Sequence, residues 1–198
     1  MGAAHVHGRR RFLQGLITTG VAGMLPGASN LALAQTPLAA TPSCEDDDEP
    51  TPAQTEGPFF TPNSPERSNL REPGIVGTPI TLTGYVLSRS CQPLPGALVE
   101  LWHADDSGQY DNEGYRLRGH LFSGVDGGYR FDTIVPGLYP GRTRHFHVKY
   151  QAAGQPVLTT QLYFPEEPDN RRDRIFRPEL LMHINGPLAR FDAVLDLA

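Results

Sequence analysis

From residue 80 onward, apolar positions fall into short runs separated by Gly and Pro. They cover 80–87, 97–103, 129–134, 143–150, 157–163 and 191–197. Each run is shorter than a typical helix, and several alternate apolar with polar positions, the period of a half-buried strand. Short strands at this spacing predict an all-β chain folded as an antiparallel β-sandwich. Residues 166–176 are charged and proline-punctuated, which fits a short helical turn with Arg171, Arg172, Asp173 and Arg174 exposed. No internal repeat and no long helical period is present.

One of these runs carries chemistry. In Arg144-His145-Phe146-His147-Val148-Lys149-Tyr150 the two histidines stand two residues apart. On a strand they point to one face, so both imidazoles can reach a single metal ion, while Arg144 faces away. Tyr139 lies just ahead of them in a Pro/Gly turn, and Tyr110 sits in the turn Asp106-Ser107-Gly108-Gln109-Tyr110-Asp111. Zinc favours thiolate, imidazole and carboxylate; magnesium favours carboxylate and water. A phenolate is a hard anion suited to a hard, highly charged ion, of which Fe(III) is the biological case, and tyrosine ligates haem iron in catalase. An H-x-H pair in a strand can also be ordinary surface alternation, and a tyrosine in a glycine-rich turn is common.

The text around these residues narrows the choice. Leu82-Thr83-Gly84-Tyr85-Val86, then Pro93-Leu94-Pro95-Gly96-Ala97-Leu98-Val99-Glu100-Leu101-Trp102 and Gly108-Gln109-Tyr110, resemble the intradiol ring-cleavage dioxygenases. Tyr115-Arg116-Leu117-Arg118-Gly119, Gly128-Tyr129-Arg130-Phe131, Pro136-Gly137-Leu138-Tyr139-Pro140 and Thr160-Gln161-Leu162-Tyr163-Phe164 continue the match in order. The resemblance runs from about Thr55 to Phe176 and implies a β-sandwich with long active-site loops at one end. The chain has no room for the helical dimerisation segment of the catechol-cleaving branch and looks closer to the protocatechuate 3,4-dioxygenase branch and its small exported relatives.

Carried over motif by motif, the resemblance makes Tyr110, Tyr139, His145 and His147 the ligands of a non-haem Fe(III). Tyr139 is the ligand that a catechol displaces. O2 is the co-substrate, and the ring opens between its two hydroxylated carbons to a cis,cis-muconate. Arg142 matches the arginine that stabilises charge on the activated ring, with Arg144 as its rival, and Gln161 matches a glutamine behind the ligands. Thr55-Glu56-Gly57-Pro58-Phe59 resembles the T-x-G-P segment lining the aromatic pocket in the non-iron subunit of protocatechuate dioxygenase, so Thr55, Gly57 and Pro58 are expected at the substrate. Phe59 departs from the tyrosine usual there. Trp102 reads as core or pocket wall, with core preferred, and His103, His120 and His183 as structural or surface residues.

Charge and leader bear on partners and location. Arg9-Arg10-Arg11-Phe12-Leu13-Gln14 looks like a twin-arginine export signal, followed by a modest apolar stretch and the A-x-A site Ala32-Leu33-Ala34. The expected division is a signal peptide at 1–34, a flexible acidic, Pro-rich arm at 35–54 and the dioxygenase domain at 55–198, delivered to the periplasm or secreted. The apolar stretch is too short and Gly-rich for a membrane anchor. Losing three arginines and no acids takes the formal charge from −5 to −8 (−5 − 3), which offers nothing to nucleic acid. The partner expected is a small catechol, with a homo-oligomer left open. In an oxidising compartment Cys44 and Cys91, the two cysteines of the chain, could form one disulfide, worth roughly 4 kcal/mol on loop-closure grounds; two free thiols are the alternative.

Two readings from different classes follow. One is an exported ferric intradiol dioxygenase; the other is a non-catalytic, transthyretin-like β-sandwich that binds a ligand. A binding module needs none of the Tyr/Tyr/His/His set. A zinc hydrolase is disfavoured by the lack of H-E-x-x-H and of cysteine-rich ligand spacing.

Overall fold

The structure is a computed structural model that describes residues 49–197. Nine strands form two sheets: β1 (Pro79–Leu87), β2 (Leu98–Trp102), β3 (Arg118–Phe122), β4 (Gly128–Ile134), β5 (His145–Gln151), β6 (Leu158–Tyr163), β7 (His183–Asn185), β8 (Leu188–Arg190) and β9 (Ala193–Val194). One sheet runs β4-β1-β8-β7 with β9 also on β1, and the other runs β3-β2-β5-β6. The sandwich expected from the alternation is present. Its pairings are antiparallel except at the C-terminal end, where β8 and β9 run parallel to β1.

Alternation decides which side chains meet between the sheets. From the four-stranded sheet Val99, Leu101, Phe146, Val148, Tyr150 and Leu162 face inward, onto Ile80, Leu82, Tyr129, Phe131 and Ala189 of the other sheet, and all belong to one buried cluster. Within this core the Tyr129 phenol donates to Phe191 O at 2.7 Å, so its polar end is satisfied where the C-terminal strands cross.

The opposite, outer face of the four-stranded sheet would normally meet water. Here a segment at the start of the described chain covers it. Thr51 is buried and hydrogen-bonds Val194 through both backbone and side chain. Gln54 N donates to Thr159 O at 2.8 Å, and Thr160 Oγ1 donates to Pro52 O at 2.8 Å. Further on, Ser64 Oγ donates to Glu100 at 2.7 Å, and residues 66 and 69 bridge to His120 and Asp132. Residues 51–54, read by composition as part of a flexible arm, are thus pinned along β6 and β9, because their backbone groups complete edges those strands leave open. The rest of that arm, the twin-arginine signal and Cys44 lie outside the described residues. Cys91 is disulfide-bonded. Among the described residues no helix is long and apolar enough to cross a membrane.

The helical turn expected within 166–176 is a 3₁₀ turn at Pro168–Arg171. Asp173, expected to be exposed, is buried. The reason lies in the site.

Candidate metal centre

The register of the four-stranded sheet lines up one row of side chains across all four strands. Arg118 pairs Trp102, Trp102 pairs His147, and His147 pairs Gln161. Directly opposed residues share a face, so this row lies on the outer face beneath the covering segment. His145 and its partner Tyr163 stand one step along the same face.

His145 and His147 meet at their Nε2 atoms, 3.1 Å apart. His145 Nδ1 lies 2.6 Å from Thr143 O, which can only accept, so the ring proton sits on Nδ1 and Nε2 presents a lone pair. Tyr110 Oη is 3.4 Å from that Nε2. The Tyr139 ring stands edge-on to Tyr110 at 6.0 Å between centroids, which puts the fourth expected ligand beside the other three.

Burial, with Arg142 adding to it, pushes the His145 imidazole down to about 4. His147 is also driven well down, by burial first and then by His145 and nearby arginines. Both rings are therefore neutral near pH 7, the form that ligates metal. Burial pushes the Tyr110 phenol up, while Arg142 and Arg118 oppose the shift. A phenolate in that environment needs a close compensating cation.

These residues fit a hard cation. Two buried neutral imidazoles pointed at each other and beside a phenol leave lone pairs converging on one spot, and His147 Nδ1 is buried without a hydrogen-bond partner. Among the described residues no three His, Cys, Asp or Glu side chains could hold a metal together. The donors gathered here are two imidazoles and a phenol, with a second tyrosine ring beside them, a set that adds hard phenolic oxygen to imidazole nitrogen.

Glycine brings the two tyrosine loops together. Gly108 has φ +83°, and a Cβ there would lie 2.2 Å from Leu138 O. The turn holding Tyr110 thus packs directly on the turn holding Tyr139, with Gly137 N donating to Asp105 O at 2.7 Å. Gly57, at φ +72°, seats the covering segment on the site: its Cβ would stand 3.4 Å from His147 Cε1. Phe59 then stacks on Tyr110, centroids 4.4 Å apart, and meets Tyr139 edge-on at 5.3 Å. Thr55 offers its carbonyl to Gln161 Nε2 at 2.9 Å, and Pro58 is exposed between them.

The two candidate arginines part company. Arg142 Nε donates to Asp173 Oδ2 at 2.7 Å and its Nη2 donates to Gln161 Oε1. Arg144 turns outward, donating from Nε to Glu167 Oε1 at 2.6 Å and from Nη1 to Pro136 O. A cavity of about 410 Å³ opens beside Tyr139 and Arg142, walled by Leu138, Pro140, Gly141 and Asp173.

Several neighbours escaped the sequence reading. Trp102, read as core in preference to pocket wall, is buried and stacks on His147, rings 5.0 Å apart and 10° from parallel. Only the β2–β5 register places it there. Arg118 is fully buried and donates to Asp111 O, next to Tyr110, and to Phe59 O, so one guanidinium ties the ligand loop to the covering segment. Tyr163 Oη lies 3.1 Å from Gln161 Oε1, and burial, the largest influence, pushes that phenol up to about 12. His103 is structural: buried, it bonds Ala104 O and Thr133 Oγ1, each at 2.7 Å.

The sequence model of the family Dioxygenase_C, described as "Dioxygenase", matches residues 55–185. Hydroxyquinol 1,2-dioxygenase of Nocardioides simplex is 33% identical over 150 residues, covering 64% of this chain and 51% of its own length. The chain belongs to the intradiol ring-cleavage dioxygenases. The protocatechuate 3,4-dioxygenase beta chain of Burkholderia cepacia is 32% identical over 120 residues, 52% of this chain and 51% of that one. Among solved structures, the dioxygenase domain of a dioxygenase carbohydrate-binding protein fusion from Streptomyces sp. SirexAA-E is 55% identical with a TM-score of 0.73, covering 76% of this chain and 100% of that chain. 3-Chlorocatechol 1,2-dioxygenase of Rhodococcus opacus 1CP aligns at 25% identity and TM-score 0.68, covering 77% of this chain and 75% of that one. This intradiol chain spans about half the length of the curated relatives it matches first.

Proposed function

We propose that the chain is a non-haem Fe(III) intradiol dioxygenase that opens a catechol-type ring between its two hydroxylated carbons with O2, giving a cis,cis-muconate. The observation that carries this reading is the convergence of His145 Nε2, His147 Nε2 and the Tyr110 phenol, with the Tyr139 ring beside them. Tyr110, Tyr139, His145 and His147 would hold the ion. When bound, ferric iron supplies the positive charge that deprotonates phenols and draws electron density from a catecholate ring.

The remaining residues bind and orient. Phe59 offers an aromatic wall, Gly57 leaves a gap that a larger residue would fill beside His147, and Thr55 and Pro58 complete that side. The cavity beside Tyr139 and Arg142 adjoins the ligand set through Tyr139 alone, its other walls coming from the rest of residues 138–143 and from Asp169, Arg172 and Asp173. Arg142 is our choice for the arginine that stabilises negative charge on the bound ring, since its guanidinium is tied to Gln161 beside His147 while that of Arg144 is spent on Glu167. Tyr139, half-buried and lining the adjoining cavity, would be the ligand that a catechol replaces.

Oxygen uptake by the iron-loaded protein over a panel of substituted catechols, with product identification, tests the reading. A muconate or its lactone is expected. A yellow semialdehyde as main product would mean cleavage outside the hydroxyls and would overturn it; iron-loaded protein inert to the whole panel would favour a binding module instead. We also infer export through Arg9 and Arg10 with processing after Ala34, and a Cys44–Cys91 disulfide formed outside the cytoplasm. Replacing both arginines with lysine should leave uncleaved precursor inside the cell.

A further inference from the structure

Three consecutive residues ahead of the histidine pair are each held by one side chain of a single downstream loop, at a spacing of three. Arg142 bonds Asp173, Thr143 Oγ1 donates to Asn170 Oδ1 at 2.6 Å, and Arg144 bonds Glu167. The loop is itself braced: Asn170 Nδ2 donates to Phe164 O at 2.9 Å, and Asp173 N donates to Asp169 O at 3.0 Å. Asn170 lies within the 3₁₀ turn at Pro168–Arg171, Glu167 immediately precedes it and Asp173 follows two residues after its end.

Asp173 is the rung nearest the site. Its side chain is 2% exposed and accepts three bonds, from Arg142 Nε at 2.7 Å, Thr143 N at 3.0 Å and Ile175 N at 3.1 Å. A guanidinium gripped at Nε by a fixed carboxylate cannot rotate its plane, and its far nitrogen is then aimed at Gln161 Oε1. The Thr143 backbone held by the same carboxylate carries the carbonyl that accepts from His145 Nδ1.

We propose that Asp173 is a positioning residue for the dioxygenase site, its carboxylate setting the plane of the Arg142 guanidinium and so aiming Nη2 at Gln161, the cross-strand partner of His147. What Arg142 does there rests on the functional reading above; its orientation by Asp173 does not. Nothing about Asp173 requires that it touch substrate.

Two measurements separate these levels. In ¹⁵N-arginine spectra of the metal-free protein, the Arg142 Nε–H signal, assigned by its loss in Arg142→Lys, should be shifted downfield and protected from exchange. Asp173→Asn should abolish that protection while leaving the Arg144 signal, held by Glu167, in place. An Arg142 signal unchanged in Asp173→Asn would overturn the proposal. In the iron-loaded enzyme, Asp173→Asn should lower kcat/KM about 10- to 100-fold, mostly through kcat, with iron content kept. In an Arg142→Ala background the same change should cost less than about twofold, because the two residues act as one unit. An equal loss in both backgrounds would overturn the proposal. Should Asp173→Asn fail to fold, Asp173→Glu, which keeps the charge but displaces it by a methylene, gives the same comparisons. If the parent enzyme proves inert towards catechols, the functional reading falls and the Arg142 signal alone decides the role of Asp173.

Discussion

The indole of Trp102 lies flat on the imidazole of His147 because the two are direct cross-strand partners of β2 and β5. Lys149 caps the same aromatic group, its Nζ 4.3 Å from the Phe60 ring centre and 5.8 Å from that of Trp102. The stack fixes the plane of a ring whose Nδ1 has no hydrogen-bond partner to fix it. Trp102→Phe keeps a flat surface against His147 and should retain iron binding. Trp102→Ala should cost about 3–5 kcal/mol of stability and weaken iron binding; urea unfolding and iron titration check the two effects.

Phenolate bound to Fe(III) gives a visible charge-transfer band, so the iron-loaded protein should be red to brown. Tyr110→Phe and His147→Ala should each bleach the band or reduce bound iron, because each removes one of the converging donors. Visible spectra and iron content of the purified variants measure this; full colour and full iron in both would refute the ligand assignment.

Gly108→Ala should misplace both tyrosine loops. The residue sits at φ +83°, and the new Cβ would meet Leu138 O at 2.2 Å. Strain of this kind costs on the order of 1–3 kcal/mol, and activity should fall further than stability because Tyr110 and Tyr139 both move. Comparing urea midpoints with oxygen uptake separates the two losses.

His103 gives the metal-free protein a pH dependence. Burial, the largest influence, pushes its pKa down to about 4, against about 6.5 unfolded. Between those values the unfolded chain binds more protons than the folded one, so stability is greatest above about pH 6.5 and is lost as pH falls towards 4. The slope from this one group is at most about 1.4 kcal/mol per pH unit. Urea unfolding at pH 7 and pH 5 should show the loss, and His103→Gln should shrink it.

Sequence patterning reached the elements whose two faces differ in polarity. β1, β2, β4, β5 and β6 were legible because their inward positions are apolar. β3 was not: Arg118, His120 and Phe122 face outward, yet Arg118 is buried under the covering segment, so the polar pattern hides a strand. β7 and β8 have three residues each, too few for a period to show. The ligand pair was legible because it lies within one strand. Asp173 was not, because a charged run normally reads as a solvated face, and what buries it is a partner 31 positions earlier.

Those separations also set what each side of the site costs in chain entropy. The clamp on Arg142 closes a loop of 31 positions, whereas the bond from Gln161 to the Thr55 carbonyl closes one of 106. Chain entropy disfavours the longer closure, and non-local contacts slow folding. By loop closure alone the Thr55 contact is the costlier of the two by about 1 kcal/mol, from (3/2)RT ln(106/31). The covering segment that carries Phe59 is thus the side of the site that chain entropy favours least.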